Sequence, residues 1–328
     1  MPEAHDTDNY TLGKGICYFN KKEADGSYLG ERDLGNAPEL TFSIDITKLD
    51  HFSSRGGIRA KDKTVVTEIT PTLAFTLDEV NEENLALLTF GDISTVVQAE
   101  SLEEQLAVTE AHLGLFVELN HRAVGGKQLV HGTVTGGPFQ VEETITGGTS
   151  GATAVVIEVG SGYLLIDTEA GGPFQAAETI TGGTSGATAS VTAAAAFVSG
   201  LVVVCDDTET TYYVRDTDFT VDAGSGRVKL LSTGSIVEDE ELIVKYAAGA
   251  TTYKIVNVLA ETEVEGAFRF VSDNPVGTDM ELEIWRVNLA PAGDTAMIGD
   301  DWSTLSFEGE ILKDEENHPT NPYMNIIF

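Results

Sequence analysis

Residues 136–156 read GGPFQVEETITGGTSGATAVV and residues 171–191 read GGPFQAAETITGGTSGATASV, so 18 of 21 positions agree at an offset of 35. A unit this short cannot enclose a core of its own. Its Thr- and Val-rich runs, separated by Gly-rich corners, predict a few short strands per copy that bury their apolar side only by pairing or stacking with the other copy. Between the copies, Tyr163, Leu164, Leu165 and Ile166 add another strand-like run. No Lys or Arg occurs between Val130 and Ala196. Long insertions cost little when their ends lie close together. The pattern therefore predicts an inserted module at 131–196, on the surface of a discontinuous domain formed by 1–130 and 197–328.

Outside the repeats the dominant period is two. Phe42, Ile44 and Ile46 alternate with Ser43, Asp45 and Thr47, and residues 64–77 continue through Val65, Thr67, Ile69, Leu73, Phe75 and Leu77. Arg55, Arg59, Lys61 and Lys63 cluster around the Gly56-Gly57 turn signal between them, which predicts a mobile basic loop joining two strands. Residues 78–88 have helical spacing instead. Val80, Asn84, Leu85, Leu87 and Leu88 are compatible with a short amphipathic helix, Glu79, Glu82 and Glu83 suit the amino end, and Gly91 supplies a stop. Further strands are expected at 94–108 and 113–120, then at 201–205, 211–214, 219–221, 227–231, 241–246, 253–258, 266–271, 280–287 and 303–311. The expected fold class is mainly β, with one flanking α-helix and an inserted β-rich repeat module.

Charge narrows the function. Fifty-three Asp and Glu stand against 19 Lys and Arg, a formal net charge of −34, so the chain as a whole repels a nucleic-acid backbone. Residues 64–121 hold 11 acidic residues and no Lys or Arg, and in strands such a run must place carboxylates on a common face. Cys17 and Cys205 are too few and too distant to form a disulfide framework. The first ten residues lack the basic-then-apolar pattern of a secretion signal, and no apolar run reaches membrane-spanning length. A cytoplasmic site of synthesis is the expectation.

No catalytic, cofactor or metal site is expected. The six histidines form no HExxH pattern. The GGTSGAT turns at 147–153 and in the second copy look like phosphate loops but lack the lysine, and turn chemistry accounts for their glycines. Asp216, Asp218 and Asp222 do not make an EF-hand loop and read as turn caps. No GxSxG elbow is present, and paired carboxylates arise by chance in so acidic a chain. Many strands do imply edges, and open edges invite pairing with other chains, ultimately into a closed barrel whose inner face carries the carboxylates.

Seven segments then carry a family resemblance: GKGICYF at 13–19, GERDLGNAPELTF at 30–42, LDHFSSRGGIRAKD at 49–62, LAFTLDEVNEENLALLTFG at 73–91, YVRDTDFTVD at 213–222, GRVKLLSTGSI at 226–236 and WRVNLAPAGDTAMIGDDWSTLSFEG at 285–309. In this order they resemble the major tail tube proteins of long-tailed, siphovirus-like bacteriophages. The resemblance implies a non-enzymatic β-sandwich or barrel subunit with a flanking helix, assembled in the host cytoplasm into the virion tail. Hexameric rings would stack around a tape measure protein, meeting tail terminator and baseplate or tip proteins. DNA would pass through the lumen without specific binding. By the same resemblance, residues 42–77 would supply lumen strands, and 50–63, with Arg55, Arg59, Lys61 and Lys63, an inter-ring loop. The repeats depart from a minimal tube protein and are expected on the tube exterior. The competing expectation is a secreted or surface β-sandwich adhesin or decoration protein with glycan-binding repeats. Each repeat offers it only Phe139 or Phe174, with Tyr163 between them.

Overall fold

The computed structural model describes residues 10–167 and 169–328; most of the amino-terminal stretch read above for a secretion signal, residues 1–9, lies outside the described residues. In chain order the elements are β1 (Gly15–Lys21), β2 (Arg32–Asp33), β3 (Glu39–Ser53), β4 (Ala60–Leu77), α1 (Glu82–Leu88) and β5 (Asp92–Gln98). Next come β6 (Ser101–Val108), β7 (Phe116–Glu118) and β8 (Val124–Val130). The repeat region holds β9 (Thr144–Gly147), β10 (Thr153–Gly160), β11 (Tyr163–Ile166), β12 (Thr179–Gly182) and β13 (Thr188–Ser190). Beyond it lie β14 (Ala196–Ser199), β15 (Val203–Asp206), β16 (Tyr212–Tyr213), β17 (Phe219–Asp222), β18 (Arg227–Leu230) and β19 (Leu242–Ala248). The chain closes with β20 (Thr251–Asn257), β21 (Val264–Ser272), β22 (Glu281–Pro291), β23 (Leu305–Ile311) and β24 (Met324–Ile327). The protein is mainly β, its sheets are antiparallel, and α1 is the one helix among the described residues.

Two compact units divide the chain, one ending at Thr95 and resuming at Lys254–Phe328, the other Val96–Tyr253. The boundaries thus fall at 95 and 253 rather than at 130 and 197. Strand pairing is the reason. β8, which precedes the repeats, pairs with β11 inside them and with β14 after them, so the module and its flanks share one sheet. β5 and β20, which pair with each other, carry the chain across both boundaries.

In the first unit the sheet runs β2-β1-β21-β22-β23-β4-β3, with β24 added to β22. Its core face is set by alternation. Leu73, Phe75 and Leu77 of β4 lie opposite Gly309, Phe307 and Leu305 of β23, and all five larger side chains are buried. Phe75 stacks on Phe307 with ring centroids 4.8 Å apart and tilts against Phe268 at 5.3 Å. Leu87 and Leu88 of α1 join this cluster. The helix is shorter than the 78–88 expected, because Asn81 caps it: the side-chain oxygen accepts from the Asn84 amide at 2.8 Å, and residues 78–80 stay outside. Buried Asn84 in turn donates to the carbonyls of Leu34 and Glu79, both at 2.9 Å, which fixes α1 against the segment following β2.

In the second unit an eleven-stranded sheet runs β13-β12-β9-β10-β11-β8-β19-β15-β16, with β14 on β8 and β6 on β19. The two repeat copies meet through β9 and β12, antiparallel, with Thr146 opposite Thr181. Equivalent strands therefore pair about a local two-fold. Ile145, Ile180, Phe139 and Phe174 are buried together with Leu129 of β8, so the repeats share a core with the strand that precedes them. β17, β18 and β7 form a separate three-stranded sheet over a second cluster around Phe219, Val228 and Tyr246.

Candidate self-association surface

β3 and β4, of 15 and 18 residues, form the longest ladder in the chain. Among the described residues β3 pairs only with β4, and β23 covers the other edge of β4 only from Thr72 to Leu77. From about residue 44 outward, through the turn and back to Pro71, the hairpin is a two-stranded ribbon with two open edges. Such a ribbon is marginal in water on its own. Pro71 sits one residue beyond the β23 ladder, where β4 becomes an edge and a missing N–H is tolerated.

One face of the ribbon continues the core face. The register places Phe42 opposite buried Leu73, Ile44 opposite Pro71 and Ile46 opposite Ile69. Yet Phe42, Ile44, Ile46, Ile69 and the following Val66 are exposed. Complete burial of such side chains is worth about 1.5–3 kcal/mol each, and because these are only about half exposed, a partner covering the whole stripe gains on the order of 5 kcal/mol. As far as the pair Thr47–Glu68 the opposite face is polar and acidic, and beyond it Leu49 and Val65 lie on that face. Glu39, Thr41, Ser43, Asp45 and Thr47 lie on it across from Thr76, Ala74, Thr72, Thr70 and Glu68, and the next strand adds Ser306, Glu308 and Glu310. Glu39, Asp45, Glu68, Glu308 and Glu310 are exposed, with no cation paired to them among the described residues.

The structure splits the four basic residues expected in one loop. The strands extend further than the alternation indicated, so Lys61 and Lys63 belong to β4, and only Arg55 and Arg59 stand at the turn. Bulges at Thr47/Lys48 and His51/Phe52 shift the register near the tip. Lys61 Nζ binds Asp50 at 2.7 Å, Thr64 Oγ1 donates to the same carboxylate at 2.8 Å, and these two donors hold Asp50 below the usual carboxylate range. His51 Nδ1 lies 2.6 Å from Asp62, and the Arg59 guanidinium sits 5.3 Å over the Phe52 ring. Arg55, Arg59 and Lys63 keep no carboxylate partner among the described residues.

The GGTSG turns of the repeats do hold an anion, one the chain itself supplies. Glu143 of the first copy accepts from the amides of Thr184 and Ser185 in the second copy, at 3.2 and 2.9 Å, and from Ser185 Oγ at 2.8 Å. Glu178 of the second copy does the same for Thr149 and Ser150 of the first, with amide distances of 3.2 and 2.9 Å. Each carboxylate also accepts from its own copy, from the Gln140 or Gln175 amide. Glu143 and Glu178 are 3% and 4% exposed. Burial by itself raises a carboxyl's pKa, but the ring of N–H and O–H donors outweighs it and holds both glutamates below the ordinary range. Gly151 and Gly186, at φ of 71° and 69°, allow the turns to close. Sequence reading assigned these glycines to turns and missed the glutamates; the signal was the Glu immediately before Thr-Ile-Thr-Gly in both copies.

Asp218 accepts from the Val214 and Ser235 amides and Asp222 from Ser225 and Arg227, as turn caps do. His112, Glu238 and Asp239 cluster at the surface, all three exposed, with His112 Nδ1 3.4 and 3.8 Å from the two carboxylates. Cys17 and Cys205 are buried, and burial pushes their thiols up to about 12 and about 11.

A family model described as "Protein of unknown function UCP028589" matches residues 10–145 and 167–326. The chain belongs to this family. The match takes in all of the β3–β4 hairpin and of the β22–β23 region, so the surface just described lies within what defines the family. No curated protein matches the chain.

Proposed function

We propose that this protein is the structural subunit of a phage tail tube, a non-enzymatic ring component that acts by assembling with copies of itself. The observation that supports the reading is the β3–β4 ribbon, with an apolar stripe continuous with a buried core on one face and carboxylates on the other. Neighbouring copies that pair along its open edges and also pack side chains across the stripe would bury it and turn the acidic faces inward. A channel wall lined by Glu39, Asp45, Glu68, Glu308 and Glu310 repels a polyanion and gives DNA no point of adhesion. The resemblance to tail tube proteins supplies the expected six-fold ring, the tape measure protein as the first occupant of the lumen, and the terminator and tip proteins as end partners.

Negative-stain imaging of the concentrated protein is expected to give six-fold rings or hollow filaments, with sedimentation following protein concentration. A protein that sediments as a monomer at every concentration, alone and with tail partners, would overturn the proposal.

A further inference from the structure

The loop between β22 and β23, residues 292–304, holds another large apolar exposure of the first unit. Ile298 is 96% and Trp302 94% exposed, and Met297 stands free beside them. The loop carries Asp294, Asp300 and Asp301 and no Lys or Arg. Side chains of this size are seldom left wholly in water without a partner.

The hairpin tip has the opposite character. Residues 48–63 carry Lys48, Arg55, Arg59, Lys61 and Lys63 against Asp50 and Asp62, a net +3 in a chain of −34, while the loop is −3. At the apex Ile58 is 89% exposed. The two features stand at opposite ends of β4. Leu305, where the loop ends, pairs with Leu77, whereas the turn joins β4 at Ala60. Seventeen residues of strand separate those points, about 55 Å at the usual rise. One copy therefore cannot close this contact on itself.

We infer that the hairpin tip of one copy docks on the 292–304 loop of a second copy, Ile58 packing against Ile298 and Trp302 while Arg55, Arg59 and Lys63 face Asp294, Asp300 and Asp301. The contact rests on the proposed self-assembly and names its two surfaces. Because the surfaces differ, the contact is head-to-tail and propagates from copy to copy. Complementary charge sets its register, and repetition around a ring turns a small contact into a strong one.

The test mixes two full-length variants, Ile58→Cys and Ile298→Cys, under mild oxidation. The native cysteines are buried, so they do not compete. Disulfide-linked dimers are expected from the mixture and from neither variant alone. In parallel, Arg55→Asp/Arg59→Asp is expected to raise the concentration for half-assembly at least tenfold, with recovery on mixing with Asp300→Lys/Asp301→Lys. Rings or filaments that form without the mixed cross-link, or with a 58–58 cross-link instead, overturn the docking and leave the tube reading standing. A mixed cross-link with neither rings nor filaments keeps the docking and removes the tube. No cross-link and no assembly removes both.

Discussion

Replacing both Glu143 and Glu178 by alanine will lower the thermal midpoint of the second unit by roughly 15 °C, read by calorimetry. Each carboxylate satisfies three backbone amides and a serine hydroxyl. Removing it strands part-buried donors, at about 2.5 kcal/mol per site, and in a unit of this size each kcal/mol is worth about 2–4 °C. The single variants should each show close to the full local loss, since the copies clamp each other across β9 and β12 and neither turn has a second anion. The pH dependence fixes the mechanism. Both glutamates have folded pKa values below the unfolded value of about 4.3. Their contribution is complete above that pH and fades as pH falls through the folded pKa. Wild type should therefore lose stability below about pH 4.3, and the double variant should lose less over the same interval. Equal slopes would show that the charge is not what holds the turns.

Ile44→Asp combined with Ile46→Asp should leave the fold intact and abolish association. Both side chains are exposed in the single copy, so the unfolding midpoint should move by no more than about 2 °C. If a neighbour covers them, two lost burials and two carboxylates taken from water amount to about 3 kcal/mol, which raises the half-association concentration by about a hundredfold. Sedimentation velocity against concentration measures it directly. Thr41→Asp and Ser43→Asp, on the acidic face of the same strand, serve as the control and should leave association within about threefold of wild type. A uniform loss in all variants would indicate a general charge effect, and no loss in any would remove the apolar stripe from the interface.

Alternation made the β3–β4 pairing legible, because Phe42, Ile44 and Ile46 share a face whether or not anything covers it. The same argument extends to β21, β22 and β23, whose apolar positions recur every second residue. It failed where side chains near a turn are polar: Lys61 and Lys63 looked like loop residues, yet backbone pairing to His51 and Phe52 keeps them in strand. Short elements escaped for a related reason. β1 packs Cys17 and Phe19 into the core, but Ile16 and Tyr18 between and beside them make a continuous run with no apolar–polar alternation, and β24 is an addition to β22 that only the closed sheet explains.

By itself the sequence determined that the chain is mainly β, that one short helix interrupts it, that two copies of a Gly- and Thr-rich unit must pair, and that the molecule is strongly acidic. These are local properties, set by side-chain period, turn residues and charge. The tertiary structure alone decided that each repeat's glutamate fills the other's turn, that the repeats share a sheet with β8 and β14, and that an apolar stripe runs off the core onto an uncovered ribbon. Those depend on which backbone groups find partners across tens of residues, and the closure of a ladder or a buried donor is settled only when the distant strand is in place.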